Sequence, residues 1–156
     1  MDYPARKHPR LKDYDYSQCG CYHLTLCIKS RRPILSHILS APTPALRAQI
    51  HLSSIGKITE RYILNIPKVY SGVQLVKYVI MPNHVHLLIL LEPQASVSVP
   101  TIIRSLKRMI NKECGQSIWQ DSYFDVVIRN DVMFQCEWNY IDANPDKWAE
   151  DELYVR

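Results

Sequence analysis

Two apolar runs, residues 73–80 and 84–91, meet at Pro82-Asn83, a pair that favours a chain reversal, and this pattern predicts a β-hairpin. Ser71-Gly72 turns the chain into the first of these strands. Upstream, residues 21–28 are rich in Tyr, Leu and Thr and predict another strand. Pro33, Pro42 and Pro44 mark a long connection with room for a short strand around residues 47–52. Ser53-Ser54 then offers an N-cap, and Ile55, Ile58, Tyr62 and Ile66 recur at helical spacing, with Pro67 expected to stop the helix or lie just past its end. A second helix is predicted from about Pro100, with Ile102, Ile103, Leu106, Met109 and Ile110 as its buried stripe. A short strand at 125–129 and a last helix at 131–143 follow, and Pro145 biases Asn144 away from helical geometry, which puts it at the helix end. The order of strand, helix, hairpin, helix, strand and terminal helix predicts an α+β fold, a ferredoxin-like antiparallel sheet with helices mainly on one face.

At 156 residues, with no internal repeat or low-complexity tract, the chain reads as one domain. Residues 1–18 form an irregular lead-in, and residues 131–156 carry the last helix and an acidic tail. No apolar run approaches the roughly 18 residues a membrane span needs, and no apolar secretory segment opens the chain, so a cytoplasmic protein without membrane attachment is expected. The five cysteines are scattered and form no Cys-x-x-Cys pair, so they read as reduced packing residues. Net charge is only +4, but its distribution is uneven. Arg6, Lys7, Arg10 and Lys12 crowd the N-terminus, and Arg104, Lys107, Arg108 and Lys112 form a ridge largely off the apolar stripe of the second helix.

The hairpin also carries the candidate chemistry. His84 and His86 are two residues apart on a strand, so their imidazoles share a face while Val85 turns to the other. Two imidazoles side by side can hold a divalent metal, although two histidines at a sheet rim would look the same in sequence. On the last helix Tyr140 and Asn144 are four residues apart and share a face if the helix persists. The Asn144 carbonyl oxygen suits a hard ion such as Mg²⁺ or Mn²⁺, and Tyr140 is a nucleophile candidate where a metal polarises the electrophile. A core tyrosine and an Asn-Pro helix stop are the plain alternatives for these two.

The run Tyr78-Val79-Ile80-Met81-Pro82-Asn83-His84-Val85-His86-Leu87-Leu88-Ile89 resembles the signature of the single-tyrosine HUH transposases. Further blocks resemble the REP-associated tyrosine transposase branch of that group, and they come in family order: residues 11–17, 54–58, 102–107, 117–124, 127–130 and 140–148. The resemblance implies the HUH endonuclease fold, with His84 and His86 as metal-binding histidines, Asn144 as the third, oxygen ligand and Tyr140 as the nucleophile. It implies Mg²⁺ or Mn²⁺ as cofactor and, as partner, single-stranded DNA with hairpin or palindromic repeats, cleaved and rejoined through a 5′-phosphotyrosine. The two basic clusters become candidates for holding the DNA backbone. Monomer and homodimer both occur in the group. One departure stands out: many relatives carry an acidic-His pair before the Val-Ile-Arg block, where this chain has Asp125-Val126. An inactive relative that only binds DNA hairpins, and a metal-dependent phosphodiesterase using water, are the rival readings.

Overall fold

The computed structural model describes residues 11–155. Four strands form one antiparallel sheet: β1 (Gly20–Cys27), then, after a two-stranded ribbon of β2 (Ser36–Leu39) and β3 (Gln49–Leu52), β4 (Val73–Ile80), β5 (His84–Leu91) and β6 (Phe124–Ile128). The order across the sheet is β4-β5-β1-β6. Helix α1 (Ser54–Val69) precedes the hairpin of β4 and β5, α2 (Val99–Cys114) follows it, and α3 (Asp131–Ala143) closes the fold. The predicted α+β sheet is therefore present, with the expected elements in the expected order.

Strand alternation divides the sheet into two unlike faces. Tyr22, Leu24 and Leu26 of β1 and Val85, Leu87 and Ile89 of β5 point to one side, where they join Ile63 of α1 and Ile102, Leu106 and Ile110 of α2 in the main core. The other side of β4 and β5 packs Val79, Met81 and Leu88 against Ile141, with Phe134, Trp138 and Trp148 half-buried around them. Two helices thus cover one face and α3 lies on the other. The lead-in before β1 is irregular but packed: the Tyr16 hydroxyl donates to Asp125 Oδ2 at 2.7 Å and receives the Leu11 N–H at 2.9 Å.

Local signals explain the element ends. Ser53, Ser98 and Asn130 each accept a backbone N–H from the first turn of the helix they open. Gly115 ends α2 at φ 69°, in the left-handed region that glycine enters at no steric cost. Pro67 does not stop α1, which runs on to Val69. A proline in the last turn forfeits only one i to i−4 bond, and Tyr70 N–H still reaches the Ile66 carbonyl at 3.0 Å. Met109 is half-buried rather than part of the fully enclosed stripe.

Helix α1 approaches the loop before β2 closely at Gly56. A Cβ added at Gly56 would lie 2.0 Å from the Leu35 carbonyl oxygen, which also accepts from the Ser53 backbone N–H at 2.9 Å. In a solvent-facing helix, Gly→Ala gains about 1 kcal/mol. Here we expect Gly56→Ala to destabilise by about 3 kcal/mol, because the backbone must open to admit the methyl group. Urea denaturation of wild type and variant measures this directly, and a stabilised variant would refute the contact.

Candidate active site

His84 opens β5 and His86 follows two residues on. Their cross-strand neighbours in β1 are Cys27 and Thr25. This register faces both imidazoles away from the main core and toward α3, with ring centroids 4.8 Å apart and almost no exposure (0% and 3%). Tyr140, on α3, sets its ring edge-on to His86 at 5.3 Å and at 6.0 Å from His23 of β1. Tyr140 keeps 37% of its surface, so an extended substrate can reach it. One turn further on, Asn144 is buried, and its amide donates to the Asp151 oxygen that lies 3.8 Å from His84 Nε2. The structure therefore assembles the four residues singled out in the sequence, contributed by one strand and one helix.

Hydrogen bonding shows what this cluster lacks. The Asn83 amide nitrogen donates to the carbonyls of Arg31 at 3.1 Å and Leu153 at 2.7 Å, which fixes Asn83 Oδ1 as an acceptor. His84 Nδ1 lies 2.8 Å from that oxygen and so carries the proton. Nε2 of His84 is left as a lone pair, buried and without a partner. Asn144 donates its amide to Asp151 Oδ2 at 3.1 Å, and its own Oδ1 is likewise buried and unpartnered. His86 Nε2 is the third such atom. Three buried acceptors without donors are costly unless something positive sits among them. Two imidazole nitrogens and an amide oxygen fit a divalent cation, and the Asp151 carboxylate, 3.8 Å from His84 Nε2, adds a negative charge at the same place.

The acid–base state of the site is consistent with ligation. Burial drives His84 down to about 4 and His86 well below the usual histidine range, so both are neutral at physiological pH, as ligands must be. Burial, and after it the charges of Asp151, Glu152 and Glu137, pushes the Tyr140 phenol up to about 12. Burial also raises the Cys27 thiol, next to His84 in register, to about 11, which leaves it protonated in the metal-free protein.

The α3 helix is held to its own chain by a fork on Asp142, which receives Lys77 Nζ at 2.8 Å and the Arg47 guanidinium. Lys77 also lies over the Trp138 ring, 4.2 Å from its centroid. The C-terminal segment completes the wall of the site, with Trp148 packed 6.0 Å from the His84 ring.

Sequence reasoning passed over His23, Thr25, Glu137 and Asp151, which surround the histidines. His23 is buried in β1 and faces Val126 across the β1–β6 ladder, so an imidazole does stand beside the position where the acidic-His pair of relatives is interrupted. Asp125, by contrast, is engaged by Tyr16. Of the basic candidates, Arg104, Arg108 and Lys112 are exposed on α2, as is Lys12 before β1. Lys107 is half-buried, and its ammonium group donates to the carbonyls of Gln120 at 2.7 Å and Ser122 at 2.9 Å. It therefore anchors the loop that leads to β6. Arg104, Lys107 and Arg108 line a cleft of about 370 Å³ with Trp119 and Tyr123. Arg6, Lys7 and Arg10 lie outside the described residues.

An antiparallel sheet carrying paired histidines faces a helix bearing a tyrosine, and comparison with known proteins places this arrangement in a family. The family profile described as "Transposase IS200 like" matches residues 16–144, and the chain belongs to that family. It is 27% identical to a Haemophilus influenzae protein of uncharacterised role, over 96% of this chain and 93% of that protein. It is 24% identical to the ISDra2 transposase TnpA of Deinococcus radiodurans, over 81% of this chain and 84% of that protein. Among solved structures, a REP-associated tyrosine transposase bound to a REP hairpin superposes with a TM-score of 0.69 at 20% identity, over 88% of this chain and 73% of the other. A proposed transposase from Deinococcus radiodurans superposes with a TM-score of 0.52 at 21% identity, over 85% of this chain and 95% of the other. Among the described residues no helix is long and apolar enough to cross a membrane.

Proposed function

We propose that this transposase-family protein cleaves and rejoins single-stranded DNA beside a hairpin, with Tyr140 as nucleophile and Mg²⁺ or Mn²⁺ held by His84, His86 and Asn144. The observation that carries this reading is a set of three buried side-chain atoms without hydrogen-bond partners, His84 Nε2, His86 Nε2 and Asn144 Oδ1, on residues grouped beside an accessible tyrosine of a facing helix. The hairpin DNA in the solved REP-associated relative supports the choice of substrate.

In this reaction the Tyr140 oxygen bonds to phosphorus, and the bond from phosphorus to the 3′ oxygen breaks. A 5′-phosphotyrosine and a free 3′-hydroxyl result, the phenolic proton being taken up overall by the departing oxygen. A second 3′-hydroxyl attacking the phosphotyrosine reverses the step and joins strands. A bound divalent ion would supply Lewis-acid stabilisation of charge on the phosphate oxygens. The protein supplies position: Ile141 and Trp138 seat α3 on the sheet, and the Asp142 fork fixes its rotation. Arg104 and Arg108 at the α2 cleft, with Lys12, suit the backbone of the hairpin or its flank.

Covalent capture tests the proposal. Labelled single-stranded hairpin DNA from the flanks of the gene, incubated with the protein and Mn²⁺, is expected to yield a denaturation-resistant protein–DNA band that chelator abolishes. Cleavage products without that band would assign a water-using phosphodiesterase. Binding without cleavage would assign a hairpin-binding relative that has lost its chemistry.

A further inference from the structure

His86 is supported differently from His84. Its Nδ1 lies 3.0 Å from His23 Nε2 and 3.0 Å from Thr25 Oγ1. On its far side, His23 Nδ1 pairs with Glu137 Oε2 on α3. All three ionisable side chains of this chain of contacts are at most 3% exposed, so water does not mediate among them. His23 lies in β1, His86 in β5 and Glu137 in α3, one helical turn before Tyr140.

The order of donors follows from the carboxylate end. A carboxylate only accepts, so His23 Nδ1, which faces Glu137, carries a proton. With that as the only proton on the ring, His23 Nε2 is a lone pair, and His86 Nδ1–H, 3.0 Å away, satisfies it. That assignment leaves His86 Nε2, buried and without a hydrogen-bond partner, as a lone pair, which is the state a cation requires. The opposite tautomer would put a proton on His86 Nε2 and remove that nitrogen from the set a cation could use. The Thr25 hydroxyl accommodates either arrangement, so it does not choose between them.

We propose that Glu137 and His23 are positioning residues that hold His86 in its metal-binding tautomer and orientation, and that they tie the helix bearing Tyr140 to the strand bearing the ligands. This rests on the metal site proposed above, but its primary readout is independent of metal. Ring-nitrogen NMR of the ¹⁵N-histidine-labelled, metal-free protein reports which nitrogen of His86 carries the proton. In wild type and in His23→Gln, whose amide oxygen can accept from His86 Nδ1–H, a single Nδ1–H form is expected. In His23→Phe, which keeps an aromatic ring of similar bulk but offers no acceptor, we expect a mixture of tautomers. Titrated with Mn²⁺ in the absence of DNA, His23→Phe and Glu137→Gln should bind about 10- to 100-fold more weakly than wild type, with His23→Gln largely restored. An unchanged His86 spectrum in His23→Phe, or equal Mn²⁺ affinity in all variants, would overturn the positioning role. Failure of the wild type itself to bind Mn²⁺ would instead sink the metal reading, while the NMR comparison still decides whether His23 sets the tautomer.

Discussion

Tyr140→Phe is expected to abolish the covalent protein–DNA band and to reduce strand cleavage by about a thousandfold or more, since the substitution removes the attacking oxygen. Tyr140 is 37% exposed and contributes ring contacts to His86 and His23 that phenylalanine retains. The variant should therefore fold, bind Mn²⁺ and bind hairpin DNA like the wild type. This separation of binding from chemistry gives the experiment its force. If Tyr140→Phe cleaves at a rate near wild type, the attacking group is water, and the tyrosine serves only as a wall of the site.

The second large effect is expected from His84→Ala. Removing one of three inward-facing acceptors should weaken Mn²⁺ binding more than about a hundredfold, beyond the cost usually seen when only a supporting partner of a ligand is lost. Cleavage should fall with it. Stability supplies a check that does not depend on DNA. A ligand that binds only the folded state at a hundred times its dissociation constant adds about 2.7 kcal/mol, so the wild-type melting temperature should climb with Mn²⁺ while that of His84→Ala stays flat. Without metal the variant should lose little. The His84 lone pair faces the Asp151 carboxylate at 3.8 Å, an unfavourable juxtaposition that the substitution relieves and that offsets the lost bond to Asn83. An equal Mn²⁺-dependent rise in both proteins would place the metal elsewhere.

What could be read from the amino-acid pattern is what local periodicity encodes. The β4–β5 hairpin was legible because Pro82-Asn83 interrupts two apolar runs, and the shared face of His84 and His86 follows from the two-residue repeat of a strand. The tyrosine helix was legible from its bounds, and Asn144 from the proline after it. His23 and Glu137 were not. They meet each other across 114 residues, and His23 meets His86 across 63. Contacts at such range depend on how β1 registers against β5 and how α3 is rotated, and no local pattern carries either. A single histidine in an apolar strand reads as core. The partner of β3 was missed for a related reason: Ser36–Leu39 is four residues long, with no repeat to announce it. Asp151 was seen only as part of an acidic tail, because nothing in a run of acids says which one turns inward to Asn144. The same limit applies to Lys107, whose charge was legible but whose engagement with the loop carbonyls was not.

The two unlike faces of β5 bear on how errors in folding are felt. Val85, Leu87 and Ile89 fill the main core while His84 and His86 look the other way, so a slip of one residue in pairing with β1 would exchange the two sets. It would bury two imidazoles among aliphatic side chains and turn the aliphatics toward Tyr140. Misaligned molecules would thus be excluded by the hydrophobic effect before catalysis was ever in question. Any chain that reaches its native core has also, by the same choice of register, aimed its histidines at the tyrosine.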